Sequence, residues 1–394
     1  MVLMVPLLSF GLTGCGDDIA SERNNVMSTS SIESTDDSVD STNDEEGETI
    51  ESAGSSVVVA SSAELRGMQW TLDNDGGYVH QTFVSDEAIP VNGVADVDMN
   101  ATLAWTIAQG SRDIVVGIID SGIDYYHPDL VDNLWRNEAE LNGEEGVDDD
   151  GNGYIDDIYG INVTVPRTLE SGEANPEAGD PLDIYGHGTM SAGVIGAVGD
   201  NGIGISGVSP KVSIMSCRAF SALSVYGVIL PGLGAIGPTH DSIIQCLEYF
   251  AAMKEAGVNI VATNNSYASG KQTFFGGLTF PTEGKYRFDS QELKAAIQNQ
   301  GELDILFVTG AGNGGIEVNN PYTGNVLFKG INDNDLKGGT RRHALYPSSF
   351  NLPNMISVAG IVNTGDVWFG TSYGRYTVDI FAGSDRVLST WPIY

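Results

Sequence analysis

The sequence predicts a three-layer α/β fold in which a mostly parallel central sheet is flanked by helices. Short apolar runs rich in β-branched residues recur along the chain, and segments with helical periodicity separate them. The runs cover residues 115–119, 212–215, 260–263, 305–309 and 355–359, and the helical segments cover 188–196, 242–256 and 292–299. This alternation implies right-handed crossovers and strands that are buried on both faces. Reactive side chains are therefore expected at the carboxyl ends of the strands.

Composition narrows the class of partner. The chain has 394 residues, of which 41% are hydrophobic, so it has enough apolar side chains to form a large core. Its net charge of −35 argues against nucleic acid and against an anionic membrane surface as partners, because both would repel it. Bound cations are compatible with such a charge, and so is a plain soluble acidic surface. We expect a monomer.

The N-terminal segment has the character of an export signal. Residues 1–14 are largely apolar but too short to span a bilayer as a stable helix. They end in Leu12-Thr13-Gly14-Cys15, which resembles a bacterial lipobox; this resemblance implies a cleaved signal peptide, lipidation of Cys15 and a place in the cell envelope or outside the cell. An ordinary signal peptide is the alternative.

Residues 15–60 are acidic and rich in Ser and Thr, with few large apolar side chains before Val57. Such a segment cannot bury enough surface to offset its chain entropy, so it predicts a disordered tether. The folded domain is expected over residues 61–394.

Two segments carry the chemistry of the folded domain. Within residues 114–124, an apolar strand-like run ends on Asp120. The second segment, Gly186-His187-Gly188-Thr189, lies at the start of a predicted helix of small residues. An imidazole can remove the proton of a serine hydroxyl, and a carboxylate holds the imidazole in the required tautomer. Asp120 is the candidate orienting carboxylate and His187 the candidate general base.

Together these segments resemble the Asp and His motifs of the subtilisin-like serine peptidases (subtilases), in the chain order Asp…His…Ser. The resemblance implies a subtilisin-like fold and a serine endopeptidase that acts on polypeptides by acyl transfer. Residues 307–314 resemble the strand of that family that ends in the oxyanion-hole asparagine, which implies this role for Asn313. An amide there would donate to the oxygen that becomes negative during catalysis.

The resemblance also implies a peptide-binding cleft between two backbone segments. Ser266, Tyr267 and Ala268 match one segment, and Gly310 and Ala311 match the other. A substrate is expected to bind between them as an extended strand. Ala268 stands where the family usually has glycine, which would narrow one subsite.

The nucleophile motif of the family, Gly-Thr-Ser-Met-Ala, does not occur in the sequence. Ser372 lies in a segment that resembles the region before the nucleophile and is expected to be a structural turn residue. Residues 387–390 resemble the last strand before the nucleophile loop. We therefore expect that the Ser-bearing segment is missing at the C-terminus and that the chain as given is inactive. The alternative is a non-catalytic peptide-binding surface lipoprotein.

An acidic loop between the two catalytic motifs has the spacing of a calcium ligand set. Asp148, Asp150, Asn152 and Asp156 occupy the oxygen-ligand positions, and Gly153 provides the turn. The twelfth position is not glutamate, so we expect calcium in an EF-like loop and not an EF-hand domain. A polar surface turn is the alternative.

A second calcium site is implied by the resemblance alone. Asp129 and Asn201 would supply side-chain oxygens, and Ile203 and Ile205 would supply carbonyl oxygens. Gln69 is a weaker candidate. Both calcium ions would be structural. The sequence has no His or Cys cluster that suggests zinc.

Two cysteines fall within the predicted folded domain. Cys217 lies in a predicted strand, and Cys246 lies in a predicted helix. In an oxidising compartment they could pair. Buried free thiols fit equally well, because the sequence does not fix the geometry that a disulfide requires.

Overall fold

A seven-stranded parallel sheet organises the part of the chain that this computed structural model describes. The described residues are 65, 68–77, 79–82, 89–222, 224–225, 228–229, 235–267, 290–312, 346–368, 370–372, 374 and 376–393. All of them belong to one compact unit of the chain.

The strands of this sheet are β3 (Gly110–Asp120), β4 (Gly160–Asn162), β5 (Lys211–Arg218), β10 (Ile260–Asn265), β11 (Leu306–Gly310), β12 (Met355–Ile361) and β13 (Ile380–Gly383). Their order is β13-β12-β11-β10-β3-β5-β4, and every neighbouring pair is parallel. The longest strand, β3, therefore lies near the centre of the sheet, and its carboxyl end is flanked by β10 and β5.

Among the described residues, three short antiparallel pairs lie outside the main sheet. They join β1 (Val79–Thr82) to β2 (Ile89–Asn92), β6 (Ser221–Ala222) to β9 (Ala235–Ile236), and β7 (Ser224–Val225) to β8 (Val228–Ile229).

The described helices are α1 (Ala101–Trp105), α2 (Glu138–Leu141), α3 (His187–Gly196), α4 (His240–Glu255) and α5 (Gln291–Glu302). Short 3-10 turns occur at Val131–Asn133, Pro176–Gly179 and Ser348–Phe350. A capping box starts α4, in which the side chains of Thr239 and Ser242 each accept a backbone N–H of the other. None of the helices in the described part of the chain is long and apolar enough to cross a membrane.

Two apolar cores cover the two faces of the sheet. One contains Phe250 of α4 and Leu293 of α5, together with Ile119 of β3. The other contains Ile195 of α3 and Ile118 of β3. Adjacent residues of β3 thus enter opposite cores, and both Ile118 and Ile119 are fully buried. This arrangement confirms the predicted three-layer α/β fold.

The predicted runs and helical segments all occur close to their expected positions. Strands β4 and β13 were not predicted, because three and four residues are too few to show a periodic pattern. The expectation of a strand at residues 387–390 is wrong, since these residues are irregular. Here the hydroxyls of Ser389 and Thr390 donate to the carbonyls of Met190 and Thr189, so the segment bonds to α3 instead of a sheet.

Cys217 and Cys246 form a disulfide that joins β5 to α4, with 5.7 Å between the Cα atoms. Both cysteines are fully buried. Of the two alternatives left open by the sequence, the structure has the paired one.

Candidate active site

Asp120 and His187 meet at the carboxyl edge of the sheet. Asp120 is the last residue of β3, and His187 is the first residue of α3. Nδ1 of His187 lies 2.8 Å from each carboxylate oxygen of Asp120. Asp120 is fully buried and His187 is 6% exposed, so the pair is shielded from water. The structure brings together the two residues that the sequence predicts as catalytic partners.

Two further donors hold the Asp120 carboxylate. The backbone N–H of Ser121 donates to Oδ1 at 2.7 Å, and the hydroxyl of Ser191 donates to Oδ2 at 3.3 Å. A buried carboxylate needs such partners to offset the loss of hydration. Sequence reasoning missed Ser191, although it lies four residues after His187 and hence on the same helix face.

The glycines around His187 have a steric cause. Gly186 has a φ of 104°, a region that L side chains rarely adopt. A Cβ at Gly188 would collide with the carbonyl oxygen of Gly122 and lie 3.2 Å from Cβ of Asp120. The helix can therefore begin beside Asp120 only if residue 188 has no side chain.

The predicted substrate segments leave the sheet beside Asp120 and His187. Parallel register places Asn265 of β10 opposite Ile119 of β3 and opposite Thr309 of β11. Ser266 and Tyr267 follow β10, while Gly310 ends β11 and Ala311 follows it. Three of the predicted site residues, Cys15, Ala268 and Asn313, lie outside the described residues.

Consecutive aromatic ring contacts connect His187 to Tyr267, which follows β10. The ring centroids of His187 and Phe220 are 6.0 Å apart, and those of Phe220 and Tyr267 are 6.5 Å apart. The Tyr267 hydroxyl donates to Oδ1 of Asn265 at 2.7 Å. Burial, and secondarily the negative charge of Asp120, raises the pKa of Tyr267 well above its ordinary value. Its hydroxyl therefore stays protonated and serves as a donor.

The residues of the second expected calcium site lie together. Nδ2 of Asn201 and the N–H of Ile205 donate to the two oxygens of Asp129, each at 2.8 Å. The side chain of Gln69 exchanges two hydrogen bonds with the backbone of Ser206. Burial raises the pKa of Asp129 above its ordinary value, and the donors from Ile205 and Asn201 oppose that shift.

The loop of this site is shaped around the carboxylate. Gly204 has a φ of 56°, and a Cβ there would collide with Oδ2 of Asp129. Carboxylate, amide and carbonyl oxygens are the donor types that calcium prefers. The oxygen types suit a hard cation, while in this structure both Asp129 oxygens accept N–H groups, from Asn201 and Ile205.

The acidic loop is tightly folded by its own side chains. Asp148 accepts the N–H groups of Gly151 and Gly153 at 2.8 Å each. Asp150 accepts the N–H of Asn152 at 2.9 Å, while Asp156 accepts that of Gly146 at 2.9 Å. One carboxylate oxygen of Asp148 and one of Asp150 lie within 4.8 Å of each other, whereas Asp156 is not in this group.

Glu140, which the sequence reasoning missed, joins this group. Its carboxylate lies with those of Asp148 and Asp150 so that their ligand oxygens fall within 4.8 Å of one another. Glu140 is buried and accepts the N–H groups of Asp149, Asp150 and Asp156. No sequence signal marked it, because it lies in α2, eight residues before the loop begins.

Ser372 is fully buried, and its N–H donates to the carbonyl of Gly312 at 2.7 Å. A buried serine whose backbone N–H bonds to the segment after β11 fits the expected structural turn residue.

Comparison with known proteins places this geometry in a family. The sequence profile of the Subtilase family matches residues 111–386, which is more than half of the chain and includes Asp120 and His187. Subtilisin-like protease 1 of Plasmodium berghei (strain Anka) is 35% identical over 198 residues, which is 50% of this chain and 25% of that protein. Subtilisin-like protease 2 of Plasmodium falciparum (isolate 3D7) is 26% identical over 290 residues, which is 73% of this chain and 16% of that protein.

A bacterial relative is also similar. The thermophilic serine proteinase of Bacillus sp. (strain AK1) is 28% identical over 145 residues, covering 37% of this chain and 26% of the relative. The matched regions thus span about a quarter or less of each of these relatives. With the parallel sheet, the Asp120–His187 pair and the match of the family profile in agreement, the chain belongs to the subtilase family.

Proposed function

We propose that this chain supplies the Asp and His members of the catalytic triad of a serine endopeptidase, which hydrolyses polypeptides by acyl transfer. The observation that carries the proposal is the contact of both Asp120 oxygens with Nδ1 of His187. With Nδ1 held by the carboxylate, Nε2 is the nitrogen that accepts the serine proton and later returns it to the leaving amine. Asp120 stabilises the imidazolium that forms in between.

The Gly-Thr-Ser-Met-Ala motif does not occur in these 394 residues, and we propose that they lack the nucleophile of this reaction. Two serines could be mistaken for the nucleophile, and neither is placed to act as one. Ser191 donates its hydroxyl to Asp120, and Ser372 is fully buried. We propose that the 394 residues alone do not hydrolyse peptide bonds.

A serine-directed fluorophosphonate tests this assignment, since it labels only a serine that a general base activates. The 394-residue chain should remain unlabelled under conditions that label a subtilase control completely. Covalent labelling at Ser191 or Ser372 would contradict the proposed roles. Reading the gene beyond codon 394 gives the complementary result. A downstream Gly-Thr-Ser-Met-Ala supports the peptidase, and a stop codon at that point contradicts it.

The second candidate function is a non-catalytic peptide-binding surface lipoprotein, the alternative that the sequence leaves open. It keeps the cleft at Ser266, Tyr267, Gly310 and Ala311, with Ala268 and Asn313 as further proposed contributors. Both candidates require an extended polypeptide in that cleft. They differ in whether the bound peptide is cleaved once the full gene product is expressed.

Two calcium ions are proposed as structural partners of the fold. Asp129, Asn201 and the carbonyls of Ile203 and Ile205 would hold one, with Gln69 nearby. Asp148, Asp150, Asn152 and Asp156 were expected to hold the other, and the position of Glu140 supports adding it to that set. When bound, each ion would neutralise carboxylate charge that otherwise repels within its loop.

Lipid anchoring through Cys15 remains a proposal about a residue outside the described part. It predicts incorporation of a labelled fatty acid into the protein in a bacterial host, and Cys15→Ala should abolish it. Equal labelling of the variant would exclude lipidation at this cysteine. The proposal places the protein in the bacterial cell envelope or outside the cell, attached to a membrane only through the lipid.

A further inference from the structure

Asp183 is a buried carboxylate at the centre of the loop that precedes His187. It is 1% exposed. Its Oδ1 accepts the N–H groups of Tyr185 and Gly186 at 2.8 and 2.9 Å. Its Oδ2 accepts both the N–H and the hydroxyl of Thr189, at 2.9 and 2.6 Å. The residues on both sides of His187 are thus bound to one side chain.

The same carboxylate reaches the turn that follows Asp120. The hydroxyl of Ser121 donates to Oδ1 of Asp183 at 2.8 Å, and Oγ of Ser121 accepts the N–H of Gly188 at 2.9 Å. Oγ1 of Thr189 in turn accepts the N–H of Asp124 at 3.0 Å. Asp183 therefore links the backbone after Asp120 to the backbone on either side of His187.

Helix α3 needs such an outside partner. Its N-cap residue is Gly186, which has no side chain to accept the N–H groups of the first turn. The close approach of Gly188 to Gly122 likewise excludes a larger residue at that position. Asp183 accepts from Gly186 and Thr189 and so replaces the missing cap. A negative charge near a helix N-terminus is also electrostatically favourable.

We propose that Asp183 is a positioning residue that sets the orientation of the His187 ring toward Asp120, an inference that rests on the proposed role of His187 as general base. Asp183 acts through the backbone of residues 186–189 and through Ser121. The fixed backbone holds Nδ1 between the two oxygens of Asp120. Without Asp183 the N–H groups of Gly186 and Thr189 lose their acceptor. Ser121, which accepts the N–H of Gly188, loses the partner of its own hydroxyl, and the ring loses its fixed distance from the carboxylate.

The test is the ring-nitrogen spectrum of ¹⁵N-histidine-labelled protein, which has only five histidines. In the unchanged chain the His187 shifts should report a proton held on Nδ1. In Asp183→Asn an amide N–H₂ faces the backbone N–H groups that donate to Asp183, so some of these hydrogen bonds are lost. The His187 ring is then held less firmly, and its shifts should move to those of a tautomer mixture. The measurement is made below the melting temperature of the variant.

Asp157→Asn is the matched control, because Asp157 is also a fully buried carboxylate with several hydrogen bonds. Its partners are Tyr249, Asn137 and Asn152, and none of them belongs to the catalytic pair. This control should lower stability but leave the His187 shifts unchanged. If Asp183→Asn lowers stability and also leaves those shifts unchanged, its role is structural only and the inference is wrong.

Ser121→Ala decides the matter if Asp183→Asn does not fold. It removes one donor to Asp183 and the acceptor of the Gly188 N–H, and should displace the His187 shifts in the same direction by a smaller amount. Unchanged shifts in Ser121→Ala would overturn the inference. The spectrum of the unchanged chain reports the Asp120–His187 pairing separately, so failure of the proposed function is distinguishable from failure of this inference.

Discussion

Asp120 and His187 depend on the absence of side chains around them as much as on their own chemistry. Gly188 lies where any Cβ would collide with the carbonyl of Gly122. Backbone cannot yield as a flexible side chain can, so the contact fixes the residue type. The glycine that looks like a weak helix residue in the sequence is what allows a helix to begin beside a buried carboxylate.

Replacing this glycine should be costly. Helix propensity alone favours alanine over glycine by about 1 kcal/mol, whereas forcing an extra group into a packed site costs roughly 1–3 kcal/mol. Gly188→Ala should therefore lower the free energy of unfolding, measured by urea denaturation. Gly237→Ala is the control, because a Cβ there meets nothing within 4 Å, and it should change stability by less than about 0.5 kcal/mol. A Gly188→Ala variant as stable as this control would contradict the steric account.

At the scale of elements, the disulfide joins the strand next to β3 to the helix that covers one face of the sheet. Cys217 and Cys246 are separated by 29 residues. Closing a loop of this length restricts the unfolded chain and stabilises the fold by roughly 3–4 kcal/mol. The bond thus supports the sheet edge from which Asp120 projects.

Removing the disulfide should be visible in equilibrium unfolding. The double variant Cys217→Ala/Cys246→Ala should lose roughly 3–4 kcal/mol, less any residual strain of the native bond. Wild-type protein unfolded under reducing conditions should behave like the variant. Identical urea midpoints for oxidised and reduced wild-type protein would show that the two cysteines are not paired in solution.

The two proposed calcium loops are also elements whose stability can be measured. A ligand that binds only the folded state stabilises it by about 2.7 kcal/mol when its free concentration is 100 times its Kd. A chelator should therefore lower the melting temperature of the wild-type chain. Asp129→Asn and Asp148→Asn should each remove part of that shift.

Asp132→Asn serves as the control for charge, since Asp132 is exposed and near Asp129 but belongs to neither ligand set. It should retain the full response to the chelator. A wild-type chain whose melting temperature does not respond to chelation would count against both calcium sites.

For the whole molecule, the sequence is sufficient to predict the layer arrangement and the contact between Asp120 and His187. Long apolar strands such as β3 have a pattern, and a histidine between glycines has a local motif. Strands β4 and β13 are too short to show a period. Asp183 and Glu140 could not be identified because their roles arise from contacts between segments, and no local pattern records which loop a buried carboxylate will meet.

The chain as a whole carries a net charge of −35, and this has a measurable consequence. Excess charge of one sign destabilises the compact state through self-repulsion, and salt screens that repulsion. With calcium chelated, raising sodium chloride from about 0.01 M to 0.15 M shortens the screening length from about 30 Å to 8 Å and should raise the melting temperature. A melting temperature that falls with salt would mean that attractive ion pairs outweigh the repulsion.

The most direct test of the central claim is the protonation site of His187 in the unchanged chain. If Asp120 orients His187 as a general base, the ring proton lies on Nδ1 and gives a low-field resonance shared with the carboxylate. Asp120→Asn should abolish this resonance and move the proton to Nε2, because an asparagine amide can donate to Nδ1. A His187 ring that carries its proton on Nε2 in the wild-type chain, or a spectrum unaffected by Asp120→Asn, would contradict the account.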